Sequence, residues 1–336
     1  MDLQDDDIFL HLSHRPRHIL NGVISVDEST ELASTTIQRD SLLGRLDKLP
    51  LEVLHEFLSY LDLQSLWRLS RVFLRGKAVV EFLHEYRKLA KFAAHTFKIL
   101  KQARIVGLYS VSTLYAAFYS KRCISCGAYG AFLFLLSAKR CCFACLVDNQ
   151  SLWMILLLLV RECFGLTKQQ VKALPVMWSI PGKLSSVKAA KELALKVHRL
   201  LEELATIYPL DSWNLPTHKM DKFIWYRQAP LDLLSQDPLT IPDANIRPLD
   251  EFCGMGSIPF PSLLSGRGST EPEQGLWCRG CEFTYKECAI EEMDYITLSR
   301  LVPPYYRAWS KADFLQHAKH CHSAAAVISQ KWIGST

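Results

Sequence analysis

Long apolar runs are missing from this chain of 336 residues. The longest, Leu152 to Val160, falls far short of the ~20 residues a membrane-spanning helix needs, so it reads as a buried strand or helix. The opening MDLQDDDIF is acidic where a secretory leader would be basic, and no signal peptide is expected. Blocks of one charge are missing too. The net charge of +5 comes from scattered Lys and Arg, which is weak ground for a nucleic-acid or membrane partner. No HExxH, P-loop or nucleophile elbow occurs. Gly254-Met255-Gly256 fails as a dinucleotide fingerprint because Pro259 stands where the third glycine belongs. His55, His84, His95 and His198 lie on or beside helical stripes and read as packing or surface residues, while Cys163 and Cys253 read as a buried and a loop thiol. An enzyme is not expected, and no internal repeat is visible.

Cysteine is abundant. Eleven cysteines, several in CxxC pairs and without a leader, point to a reducing compartment, nuclear or cytoplasmic, and to metal binding. Cys123-x-x-Cys126-Gly127 and Cys142-x-x-Cys145 stand fifteen residues apart. Each pair can fold as a tight knuckle with both thiolates on one ion, and a hairpin joining two knuckles completes a closed four-thiolate zinc site. The run Phe132 to Leu136, followed by Ser137 to Arg140, supplies a strand and turn for a zinc-ribbon-like hairpin. Cys141 could substitute, but only Cys142 makes a CxxC with Cys145. A redox CxxC would not need a second pair at this spacing. A second knuckle, Cys278-x-x-Cys281, finds its partners in His317 and Cys321, whose i, i+4 spacing places both on one helical face. His320 or His322 could replace His317, or Cys288 could join. Both sites would be structural, because four protein ligands leave no position for a catalytic water.

Leu46 to Phe73 reads as two short helices. Pro50 suits a first helical position, Leu51, Leu54, Phe57, Leu58 and Leu61 recur with helical spacing, and Asp62 can cap a second helix striped by Leu63, Leu66, Leu69, Val72 and Phe73. The pair is either a buried hairpin or a face offered to a partner protein. The run Leu46-x-x-Leu49-Pro50-x-Glu52-Val53-Leu54-x-x-Phe57-Leu58-x-x-Leu61, then Leu66-x-x-Leu69-Ser70-Arg71-Val72, resembles an F-box. It departs from that pattern afterwards, where Gly76 interrupts the segment of a third helix. The later RCISCGAYG, RCCFACLVDN, WCRGC and FLQHAKHC are similar to cysteine-rich F-box proteins of filamentous fungi. The likeness covers Leu46 to about Gly182 and Trp277 to Cys321. It implies a substrate-receptor subunit of a Skp–cullin–F-box ubiquitin ligase. Leu49, Pro50, Val53, Leu54, Phe57, Leu58, Leu61, Leu66 and Leu69 would then dock on the Skp adaptor, and through it on a cullin, while an unidentified protein substrate is recruited elsewhere. The alternatives are a zinc-stabilised nucleic-acid binder, disfavoured because the finger-like helix itself carries few basic residues, Lys311 and Lys319, and a scaffold with no ligase connection.

These readings predict a mainly α-helical protein carrying a zinc-ribbon-like hairpin and a finger-like element, with nearly half its residues hydrophobic and able to form a sizeable core. Residues 1–44 are expected to be a disordered tail with a short helix near Ser41, and 45–92 the F-box-like module, its third stripe formed by Val79, Phe82, Leu83, Tyr86 and Leu89. Residues 93–182 hold a helical stretch ending near Val111 to Thr113 and then the four-cysteine unit. Thr167 caps a short helix there that stops near Pro175. Residues 183–230 centre on an amphipathic helix, Ser186 to Leu204, with Leu193, Val197, Leu200, Leu201 and Leu204 on its core face. Six prolines mark 231–275 as a linker. The finger-like unit spans 276–325 and a tail 326–336.

Overall fold

Three acidic residues in a first turn followed by Ile8 and Leu12 on one face make a short helix, α1 (Asp5–Leu12), which runs into strand β1 (Ser13–His14). Part of the expected disordered tail is therefore ordered. The structure is a computed structural model that describes residues 5–16, 43–72, 74–180, 182–199, 217–234, 252, 254–263, 271–290 and 304–333. Ser41 lies outside them.

The hairpin forms as α2 (Leu51–Ser59) and α3 (Leu63–Val72). Pro50 is the residue before the first turn and its carbonyl accepts from the Leu54 N–H at 3.0 Å. Asp62 caps α3 as expected, accepting from the Ser65 N–H at 2.9 Å and its hydroxyl at 2.7 Å. The third stripe is two helices, α4 (Leu74–Phe82) and α5 (His84–Phe92), with Phe82 exposed. Gly76 does not interrupt α4. A Cβ there would sit 2.6 Å from the Leu69 carbonyl oxygen, so glycine lets α4 cross α3 at close range. Helix α6 (Ala94–Gln102) ends before 111. Val111 starts α7 (Val111–Tyr119) instead of closing a helix, because the Ser110 hydroxyl accepts from the Thr113 N–H.

The cysteine unit follows as β2 (Phe132–Phe134), β3 (Lys139–Cys141) and α8 (Phe143–Asp148). The Leu152–Val160 run divides into β4 (Met154–Leu156) and the start of α9 (Leu157–Phe164). The Thr167 segment makes only a 3-10 turn, Gln170–Ala173. Then come β5 (Met177–Ser179), β6 (Gly182–Ser186) and α10 (Val187–His198). Helix α10 buries Val187, Ala190 and Ala194, not the predicted face: Leu193 is half-buried and Val197 is exposed. Small side chains let α10 approach the sheet closely, and the leucines are left at its margin. Leu200, Leu201 and Leu204 lie outside the described residues.

After α11 (Thr217–Gln228) the expected linker contributes strand β7 (Ser257–Pro259). The chain closes with β8 (Trp277–Cys278), α12 (Arg279–Ile290), α13 (Lys311–His320) and α14 (Ala324–Ile333), the last occupying part of the predicted tail.

The strands make small antiparallel sheets, ordered β3-β2-β7, β4-β6-β5 and β1-β8. One core runs from Leu54, Leu58, Leu63 and Leu66 through α6 and α7 to Phe132, Leu133, Ile258 and Trp277. The hairpin and the first cysteine unit thus share a single apolar interior. A second core gathers Trp153, Phe164, Val187, Phe223 and Tyr226. A third gathers Ile8, Leu12, Phe314, Ala318 and Ile328. Among the described residues no helix is long and apolar enough to cross a membrane.

Candidate metal centres and partner surface

Cys123 and Cys126 sit on a tight turn. The Gly127 N–H donates to the Cys123 carbonyl at 3.0 Å, and Gly127 takes φ of 75°, which glycine reaches without strain. Cys142 and Cys145 sit across the hairpin, at the N-terminus of α8. The β2–β3 register sets Phe132 against Cys141 and Phe134 against Lys139, bringing the second knuckle over the first. All four ligand atoms lie within 4.8 Å of one another, and Cys126 Sγ is 3.7 Å from Cys142 Sγ. Tetrahedral arms of about 2.3 Å place thiolates about 3.8 Å apart, so the spacing fits one ion and not a disulfide. Backbone N–H groups of Ser125 and Cys145 point at Cys123 and Cys142 Sγ, each at 3.4 Å, which holds the sulfurs and favours their ionised form. Contacts with the other three thiols push the Cys142 thiol up and draw Cys123 down. Such a cluster cannot hold four thiolates together without a cation. Cys141 stands outside it, its thiol directed at the Phe132 carbonyl at 3.8 Å.

The second group, Cys278, Cys281, His317 and Cys321, is also assembled within 4.8 Å. Cys278 Sγ lies 3.7 Å from Cys321 Sγ, and Cys281 Sγ 3.3 Å from His317 Nε2. Neither His320, His322 nor Cys288 belongs to it. Trp309 stacks on the His317 ring at 4.5 Å and 13°, fixing the imidazole plane. Burial works against the His317 cation, yet the Cys278 and Cys321 thiols raise it to about 9. Metal would bind the neutral ring and so displace that proton.

Sequence reasoning missed what supports this second centre. Strand β1 pairs with β8, Ser13 opposite Cys278 and His14 opposite Trp277, and Phe9 stacks on Phe314 at 5.8 Å. The one available signal was the acidic turn ahead of Ile8, Phe9 and Leu12. Gly280 is required for closure, since a Cβ there would lie 2.7 Å from Cys321 Sγ and 3.0 Å from the Ala324 nitrogen. Gly280→Ala is therefore expected to strip the second centre while sparing the first, and metal content measured by mass spectrometry should fall from two ions to one per chain.

The hairpin has two unlike faces. Val53 and Phe57, at i and i+4 on α2, stand 37% and 64% exposed, and Leu49 and Leu61, just before and just after the helix, 36% and 38%. Pro50 and Tyr60 are exposed beside them. The F-box domain family matches residues 46–73. The chain carries an F-box domain. No curated protein and no solved structure matches the chain.

Within the F-box the nine residues expected to dock on an adaptor separate. Leu49, Pro50, Val53, Phe57 and Leu61 face outward. Leu54, Leu58 and Leu66 are at most 4% exposed and Leu69 is half-buried, all packed into the chain's own core. The reason is geometric. Leu54 and Leu58 lie one position on from Val53 and Phe57, about 100° around the helix, and that turn carries them to the face covered by the core.

Proposed function

We propose that the chain is the substrate-receptor subunit of a Skp–cullin–F-box ubiquitin ligase. The observation that carries this reading is the F-box match at residues 46–73, and the exposed apolar residues on and beside its first helix support it. Leu49, Pro50, Val53, Phe57 and Leu61 would enter an apolar surface of the Skp adaptor, with Phe57 the largest anchor. Leu54, Leu58 and Leu66 would act indirectly, joining the F-box rigidly to the body that holds the substrate. The chain performs no covalent step in this scheme and acts by proximity and orientation, in the cytoplasm or nucleus.

Zinc is the ion we assign to both centres. A four-thiolate set and a three-thiolate, one-imidazole set at tetrahedral spacing are donors that suit it. Bound there, zinc supplies folding free energy and no catalysis.

The test is co-purification of the Skp adaptor with the wild-type chain and with Phe57→Glu. Because Phe57 is 64% exposed, the variant should fold and keep its metal. Adaptor capture should drop at least about tenfold, the effect of losing a central aromatic anchor. A folded, metal-loaded wild type that captures no adaptor would refute the reading.

A further inference from the structure

An open cavity of about 240 Å3 lies where three parts of the chain meet: the α5–α6 junction, the β2–β7 edge and the strand leading into the second centre. Phe92, Ala93, Phe260 and Trp277 form its apolar walls, and Arg15 and His95 stand at the solvent-exposed rim. The walls are built before any ligand arrives. Trp277 Nε1 donates to the Tyr306 carbonyl at 3.2 Å, and the Trp277 ring meets Phe132 edge-on at 6.4 Å. Phe118 backs two walls, T-shaped to Phe260 at 6.0 Å and stacked on Phe92 at 6.2 Å.

Cations flank the cavity. Besides Arg15, Lys91 Nζ stands 4.9 Å and Lys88 Nζ 6.0 Å from the Phe92 ring centre. Among the described residues no carboxylate lines the cavity, and none pairs with Arg15. The nearby Glu273 turns one oxygen to the Lys311 N–H at 3.3 Å.

We propose that this cavity is the substrate-recognition site, accepting an aromatic side chain of a protein substrate whose neighbouring residues are acidic. The proposal rests on the receptor reading above and names its substrate class. An apolar cavity of about 150 Å3 already accommodates benzene, so the volume admits a phenyl ring with its stem. Carboxylates on either side of that ring would meet the cationic rim, which sets register and speeds encounter. Both candidate centres border the site: Ala131 lies between the first two knuckles, and Trp277 immediately precedes Cys278.

The experiment uses the full metal-loaded chain and a fluorescein-labelled peptide carrying one phenylalanine flanked by two glutamates on each side. Fluorescence anisotropy should show saturable binding. Replacing the phenylalanine by alanine, or the glutamates by lysines, should weaken it at least about tenfold. The Arg15→Glu, Lys91→Glu double variant changes exposed residues only and should lose about tenfold for the acidic peptide while capturing the Skp adaptor normally. Phe57→Glu should do the reverse. A wild-type chain that captures adaptor but not the peptide overturns the cavity assignment, as does equal binding of the alanine peptide or indifference to the double variant. Peptide binding without adaptor capture supports the cavity and sinks the ligase reading.

Discussion

Cys142→Ser is expected to unfold the body of the protein, not merely to loosen one loop. Cys142 is 1% exposed, precedes the first turn of α8, and lies 3.7 Å from Cys126 Sγ across the hairpin. Apparent zinc affinities in small structural sites are worth about 10–16 kcal/mol at neutral pH. Net domain stability is only about 5–15 kcal/mol, so losing the ion removes as much as the fold holds in reserve. The damage would spread because Phe132 and Leu133, on the strand between the knuckles, are fully buried in the core shared with Leu58 and Leu66 of the F-box. Limited proteolysis should show protection lost from α2 through β7, and a chelator should reproduce it with the wild type. Acid should act in the same direction: each thiolate that gains a proton leaves the ion, so metal affinity falls as pH falls. Full protease resistance in a metal-free Cys142→Ser chain would contradict the structural role.

Arg140→Met should be the next most damaging change, at about 1–3 kcal/mol for each buried carbonyl it leaves unsatisfied. Arg140 is 2% exposed and, among the described residues, has no carboxylate partner. Its guanidinium donates instead to four carbonyls: Gly130 at 2.7 Å, Ala117 at 3.3 Å, Pro261 at 2.9 Å and Phe260 at 2.6 Å. Burial draws it down to about 10, so it stays a cation at neutral pH. One side chain thereby ties α7, the loop before β2 and the segment after β7. Methionine keeps much of the volume but offers no donors, leaving buried carbonyls unsatisfied. Arg140→Lys should recover little, because an ammonium cannot span the fork. Urea titration measures the cost, and a midpoint for Arg140→Met equal to that of the wild type would refute the assignment.

What could be read in the chain and what could not follow a physical boundary. The F-box run, the Asp62 cap and both Cys/His groups that could hold a metal ion depend on spacings of a few residues or on chemistry so specific that thiolates at a distance have few other uses. Those determinants are local, and the sequence by itself determined them. Arg140 looked like the end of a turn, β7 like part of a proline-rich linker, and α1 like part of a tail. Each acquires its role only from partners far along the chain: Phe260 for Arg140, β2 for β7, and Phe314 for α1. The two faces of α2 show the same boundary within one helix. Periodicity marks Val53, Leu54, Phe57 and Leu58 as apolar, but it cannot say which pair meets the core. Only the packing of α2 on the rest of the chain decided that, because burial is a property of the opposing surface, which no local pattern contains.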